Sequence, residues 1–187
     1  MNTYYYKDLK IEVADWGGSP SYDDELRNNT HGYRKQIMED PEYMRIAVYG
    51  IRIYKGAEEV NSCIISNTGG RTRVEEHSVK MDGDRLLICC CGMLFCLSIP
   101  DLDVVWKAQA DPNQCFEVYK MGNDFITYGS ELISRIDAGG NIMWQFKGAD
   151  YFVSMYLDGG FSIESDHIYV RDVNEREYRV GFDGKEL

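Results

Sequence analysis

The chain has 187 residues, 44% hydrophobic and 13% aromatic, with 31 acidic residues against 20 basic ones and a formal net charge of −11. This length suits one good core rather than two, and the apolar share excludes disorder. No apolar run approaches the roughly 20 residues of a membrane-spanning helix, and so acidic a chain repels nucleic acid and anionic membranes.

In chain order, Tyr4 to Val13 alternates like a strand in its later half, and Trp16-Gly17-Gly18-Ser19-Pro20 ends it. Residues 21 to 42 are polar. Ser21 precedes the acidic pair Asp24-Glu25 by three residues, a helix-start signal, and the chain's one expected helix is a short one over Arg34 to Asp40, before Pro41. Met44 to Tyr54 and Val60 to Ser66 are rich in β-branched and aromatic residues and read as strands. The Gly69-Gly70 turn and a strand over Arg73 to Met81 follow.

From Gly83 the chain repeats itself. GDRLLICCCGMLFCLSIPDLDVVWKAQAD, residues 83 to 111, and GNDFITYGSELISRIDAGGNIMWQFKGAD, residues 122 to 150, have equal length. Each opens on a Gly-polar turn and an apolar strand, breaks at a glycine (Gly92, Gly129), runs a second strand, turns, and ends in a strand centred on tryptophan and closed by aspartate. Trp106 and Trp144 lie 38 residues apart, and Cys115 to Tyr119 supplies a fourth strand between them. That period is the size of a four-stranded propeller blade. A weaker third copy starts near Gly159, with Phe161, Ile163, Ile168, Val170 and Asp172 in matching places and Tyr178 where tryptophan would stand.

The segment Asp137-Ala138-Gly139-Gly140-Asn141-Ile142-Met143-Trp144 resembles the strand-turn-strand element of quinoprotein-type (PQQ-like) β-propellers, and the resemblance extends over residues 83–187. It implies an all-β fold of antiparallel, four-stranded propeller-like units. The repeats are too few for a closed ring, so the expectation is an open or partial propeller or a sandwich, and the family's cofactor residues do not carry over. No cofactor is expected. The chain is taken as a single domain, residues 1–187, in which strands and the short helix of 1–82 cap the repeat-built region of 83–187. Homodimerisation is one way to cover an exposed sheet edge.

Cys89, Cys90, Cys91 and Cys96 sit inside strand sequence, which favours free thiols packed as small hydrophobes in a reducing cytoplasm. A zinc site on Cys89, Cys91 and Cys96 is the alternative, but no CxxC or HxxxH pair accompanies them. His31, His77 and His167 stand in dissimilar contexts and read as surface residues. No nucleophile elbow, phosphate loop, HExxH or calcium loop is present, so no catalytic or metal-binding residue is assigned.

Two sets of residues remain. The turn positions Asp111, Glu131, Asp150 and Asp166 fall near sheet edges, and Glu131 with Asp150 would suit a carboxylate-based hydrolase or carbohydrate-binding protein if they met in a pocket. Tyr4, Tyr5, Tyr6, Tyr22 and Tyr33 crowd the first third of the chain, and tyrosine supplies interface area at low entropic cost. Combined with the negative charge, they point to a non-enzymatic module that binds a basic protein, for example a bacterial immunity-type protein.

Overall fold

The computed structural model describes residues 1–16, 32–38, 47–152 and 160–187. The first sheet holds β1 (Asn2–Tyr6), β2 (Leu9–Asp15), β3 (Lys35–Met38), β4 (Ala47–Lys55) and β5 (Glu58–Asn67), in the order β1-β2-β4-β5-β3. Four of these run antiparallel, and β3 lies parallel to β5 at the outer edge. The helix expected at 34–40 is therefore a strand over its described part. Partnering decides this: Lys35 to Met38 pair with Cys63 to Ser66, and the Arg34 guanidinium donates to the carbonyls of Val60 (2.8 Å) and Glu59 (3.0 Å). A weak local helix signal loses to a sheet edge that offers a row of unpaired groups. Among the described residues there is no helix.

The second sheet is the meander β6 (Val79–Asp82), β7 (Arg85–Cys90), β8 (Met93–Ser98), β9 (Val104–Gln109). Residues 73–78, expected as part of β6, form a loop. The Thr72 hydroxyl anchors that loop on the carbonyls of Cys115 and Cys91. The third sheet repeats the meander with β10 (Cys115–Met121), β11 (Asp124–Gly129), β12 (Leu132–Ile136) and β13 (Ile142–Lys147). The fourth contains β14 (Phe161–Ile163), β15 (Ile168–Arg171) and β16 (Glu177–Val180).

The sheets stack in series, and three apolar cores lie between them. Strand alternation makes this possible. In β7, Leu86, Ile88 and Cys90 face the first sheet, whereas Leu87 and Cys89 face the third. In β11, Phe125 enters the second core and Ile126 and Tyr128 the third, beside Phe152, Val170 and Tyr178. A strand buried on both faces needs apolar residues at every position, which is why LLICC reads as an unbroken run. No buried apolar cluster among the described residues joins the first sheet to the fourth. The first sheet's outer face carries Tyr33 and Trp16 over Val48 and Ile64, and the fourth presents Ser162, Tyr169, Glu177 and Arg179.

One joint is used three times. The Trp106 indole N–H donates to the Ala138 carbonyl (3.0 Å), and a Cβ on Gly140 would lie 2.7 Å from the indole ring. The Trp144 N–H donates to the Phe182 carbonyl (3.1 Å), with Gly184 on its ring at 2.6 Å by the same measure. In the first sheet Asn61 stands in for tryptophan, and its amide reaches the carbonyls of Pro100 (2.9 Å) and Asp101 (2.7 Å). A β-bulge precedes all three, at Val60, Val105 and Met143, and turns the following side chain toward the next sheet.

The third repeat has a different register from the one its sequence suggests. Tyr178 lies inside β16 and fills the third core; it is not the counterpart of the tryptophans. The counterpart of the 137–141 turn is Gly181 to Lys185, with matching backbone bonds, and Glu186 bridges Val180 as Ile142 pairs with Ile136.

These turns carry an acid-sensitive contribution to stability. The Asn141 side chain and turn N–H groups hold the Asp137 carboxyl below the ordinary aspartate value, and Lys185 does so for Asp183. At Asp172 burial acts to raise the value, but the Tyr178 hydroxyl and the N–H groups of Arg176 and Asn174 outweigh it. Folded-state values below the unfolded value near 3.9 mean that the stabilisation is complete above that pH and is lost as pH falls through the folded values. Melting temperature should therefore fall as pH drops below about 4. The double variant Asp137→Asn/Asp183→Asn should show a shallower drop, and equal slopes would assign the acid response to other groups.

Candidate functional site

The described parts of the loops between sheets meet through the Gly70 N–H on the Asn113 carbonyl, the Ser130 N–H on the Gln114 carbonyl and the Phe152 N–H on the Ser130 carbonyl, and Asp111 organises this junction. Its side chain is fully buried and accepts from the N–H groups of Asn113 (2.8 Å), Gln114 (2.8 Å), Glu131 (2.7 Å) and Leu132 (2.9 Å) and from the Ser130 hydroxyl (3.0 Å). Five donors from two loops converge on one carboxylate. Gly129 is required beside it, because a Cβ there would come within 2.4 Å of an Asp111 oxygen. Asp111, a turn carboxylate by its sequence, thus clamps the second sheet to the third.

By fixing the Glu131 backbone, this clamp sets one wall of a shallow cleft of about 150 Å³ lined by Glu131, Lys147, Ala149, Asp150 and Tyr151. Glu131 and Asp150 therefore share one concavity with an aromatic wall. Glu131 is ion-paired with Lys147 (3.0 Å), and Asp150 accepts from the Asn174 amide (2.8 Å) and the Tyr151 N–H (2.8 Å). Asp166 is elsewhere, at the opposite end of β15, bound to the His167 ring at 2.7 Å.

The tyrosines separate by strand parity. Tyr4 and Tyr6 pack against the first core, while Tyr5, on the other face of β1, is exposed. Tyr33 is buried; its hydroxyl accepts from the Trp16 indole (2.8 Å) and its ring stacks on the Arg52 guanidinium at 4.4 Å. Tyr22 and His31 lie outside the described residues. Of the other histidines, His77 stacks on Tyr119, with ring centroids 5.0 Å apart. The cysteines divide between cores: Cys91 is in the first, and Cys89 and Cys96 are in the second. No group of three or more metal-ligating side chains occurs among the described residues.

An apolar band on the rim was not anticipated from sequence. The bulges that orient Trp106 and Trp144 turn the preceding residues outward, leaving Val104 41%, Val105 46%, Ile142 42% and Met143 53% exposed. These residues occupy equivalent places on β9 and β13, the outermost strands of neighbouring sheets. Exposed Asp101 and Asp103 stand on the turn before β9, where Lys35 ion-pairs with the Asp103 carboxylate and donates to the Asp101 carbonyl. The available signal was an apolar pair after a turn and before each tryptophan, in strands whose next position is lysine or glutamine.

No protein-family model and no curated protein matches the chain. Among solved structures it is similar to BamB from Moraxella catarrhalis, with 10% identity over 75% of this chain and 44% of that one and a TM-score of 0.53. It is also similar to the computationally designed Ika8 protein, with 7% identity over 99% of this chain and 59% of that one and a TM-score of 0.51. The WD40 beta propeller domain of Doa1 aligns at 12% identity over 81% of this chain and 52% of its own, with a TM-score of 0.48. The chain thus spans about half the length of the natural proteins it matches. At these identities the likeness concerns the fold alone, and it agrees with the propeller-like resemblance of the repeats.

Proposed function

We propose that this chain is a non-enzymatic protein-binding module for a basic partner. The observation that carries this reading is the set Val104, Val105, Ile142 and Met143, four exposed apolar side chains on the edge strands of neighbouring sheets, with Asp101 and Asp103 on the turn before the first of them. Exposed apolar residues on neighbouring edge strands are the composition of a recognition surface, and the net charge of −11 would steer a cationic protein toward the molecule. An immunity-type role, neutralising a cationic toxin domain, is the finer form of this proposal. Six buried cysteines with no disulfide among them support a cytoplasmic setting.

The test is a capture experiment from cognate lysate at low and high salt, using the natural chain and Val105→Ser/Met143→Ser. The expected result is a basic protein that high salt releases and that the double variant retains at least tenfold less well, with an unchanged circular dichroism spectrum. A partner indifferent to both changes, or self-association in place of a partner, would overturn the assignment. The Glu131, Asp150 and Tyr151 cleft supports a second reading, carbohydrate binding or hydrolysis by paired carboxylates. Oligosaccharide titration against the natural chain and Asp150→Asn tests it, and equal heats from the two would remove it.

A further inference from the structure

The second core holds two cysteines whose sulfurs touch. Cys89 lies on β7 and Cys115 opens β10, and their Sγ atoms are 3.2 Å apart, with neither residue more than 1% exposed. Both backbones are pinned. The Cys89 N–H donates to the Ser78 carbonyl (2.9 Å), the Cys115 N–H to the Cys91 carbonyl (2.6 Å), and the Thr72 hydroxyl holds the Cys115 carbonyl at 2.7 Å. Disulfide formation requires the sulfurs to close to about 2.05 Å, a movement of about 1 Å within reach of side-chain torsions.

We propose that Cys89 and Cys115 form a redox-active pair that reduces a hydroperoxide and thereby joins the second sheet covalently to the third. One thiolate attacks a peroxide oxygen: an S–O bond forms, the O–O bond breaks, and the alkoxide leaves as the alcohol after taking a proton. The second sulfur then attacks the sulfenic sulfur; the S–S bond forms, the S–O bond breaks and hydroxide leaves as water. Two thiol protons and two electrons pass to the hydroperoxide, which becomes an alcohol and water. With the resolving thiol already in contact, the sulfenic acid is captured before further oxidation. Burial raises the Cys89 thiol well above its ordinary value, so reaction proceeds through local openings of the core and is slow compared with that of a surface thiol.

The experiment treats the folded, full-length chain with hydrogen peroxide as the probe. The expected product is lighter by about 2 Da, and its tryptic digest joins peptide 86–107, which carries Cys89, Cys90, Cys91 and Cys96, to peptide 108–120, which carries Cys115. Fragmentation should place the bond at Cys89. Cross-linking two sheets restricts the unfolded chain, so melting temperature should rise by roughly 5–10 °C and return on reduction. Cys89→Ala and Cys115→Ala should each abolish the product, and Cys96→Ala should keep it. Oxygen addition without a cross-link, a link from Cys115 to any other cysteine, or no reaction would each overturn the proposal, and the map of the natural chain decides this even if a variant fails to fold.

Discussion

Replacing Asp111 by alanine should cost about 3–5 kcal/mol of folding stability, read as a fall in urea midpoint at unchanged slope. Alanine removes the shared acceptor of five donors, four of them backbone N–H groups that are fixed by their loops and cannot turn elsewhere. Each donor left without a partner away from water loses its hydration as well as its bond. Asp111→Asn keeps the shape and one acceptor oxygen but points an NH₂ at other donors, so it should recover less than half of the loss. Gly129→Ala attacks the same clamp from outside, since the new Cβ must displace the carboxylate. A cost below about 1 kcal/mol for Asp111→Ala would mean that water replaces the carboxylate and that the sheets are held by their apolar faces alone.

Trp144→Ala should be comparably damaging, at about 3–5 kcal/mol, because it removes both a ring packed on the third core and the docking surface for the 181–185 turn. Trp144→Phe separates the two contributions. It keeps most of the ring and loses only the bond to the Phe182 carbonyl, so about 1 kcal/mol is expected. Arg135, whose guanidinium donates to the same carbonyl at 2.8 Å while paired with Asp124, limits the damage in the phenylalanine variant. A near-neutral alanine variant would refute the joint as a source of stability.

The repeat was legible because its units keep their most constrained residues: the tryptophan that docks, the glycine pressed against its ring, and the aspartate that closes the strand. The first sheet is built on the same plan, but Asn61 replaces the tryptophan and more than thirty residues separate β2 from β4, so its kinship shows only in the bulge and the docking bond. Local propensity failed at Lys35 to Met38, where a distant strand supplies the partner. The third unit was misplaced because Tyr178 is an aromatic residue at a plausible spacing, and only sheet register distinguishes a core ring from a docking one. Asp111 looked like any turn aspartate; its burial comes from the neighbouring loop, which no local pattern encodes. Glu131 and Asp150 stand out in the sequence as turn carboxylates near sheet edges, and the structure lines one cleft with both; the rim residues do not stand out, because exposure at an edge depends on what fails to lie next to it.

The arrangement of three cores in series, each shared by only two sheets, has a consequence for how the chain comes apart. In a globule with one core, losing any layer exposes the rest; here the outermost sheet can open transiently, below the global unfolding transition, while the inner two keep the core between them. Amide exchange should therefore be graded along the chain, slowest around β7, β8 and β11 and faster toward β1 and β16. The chain would behave as a short one-dimensional lattice whose ends melt first.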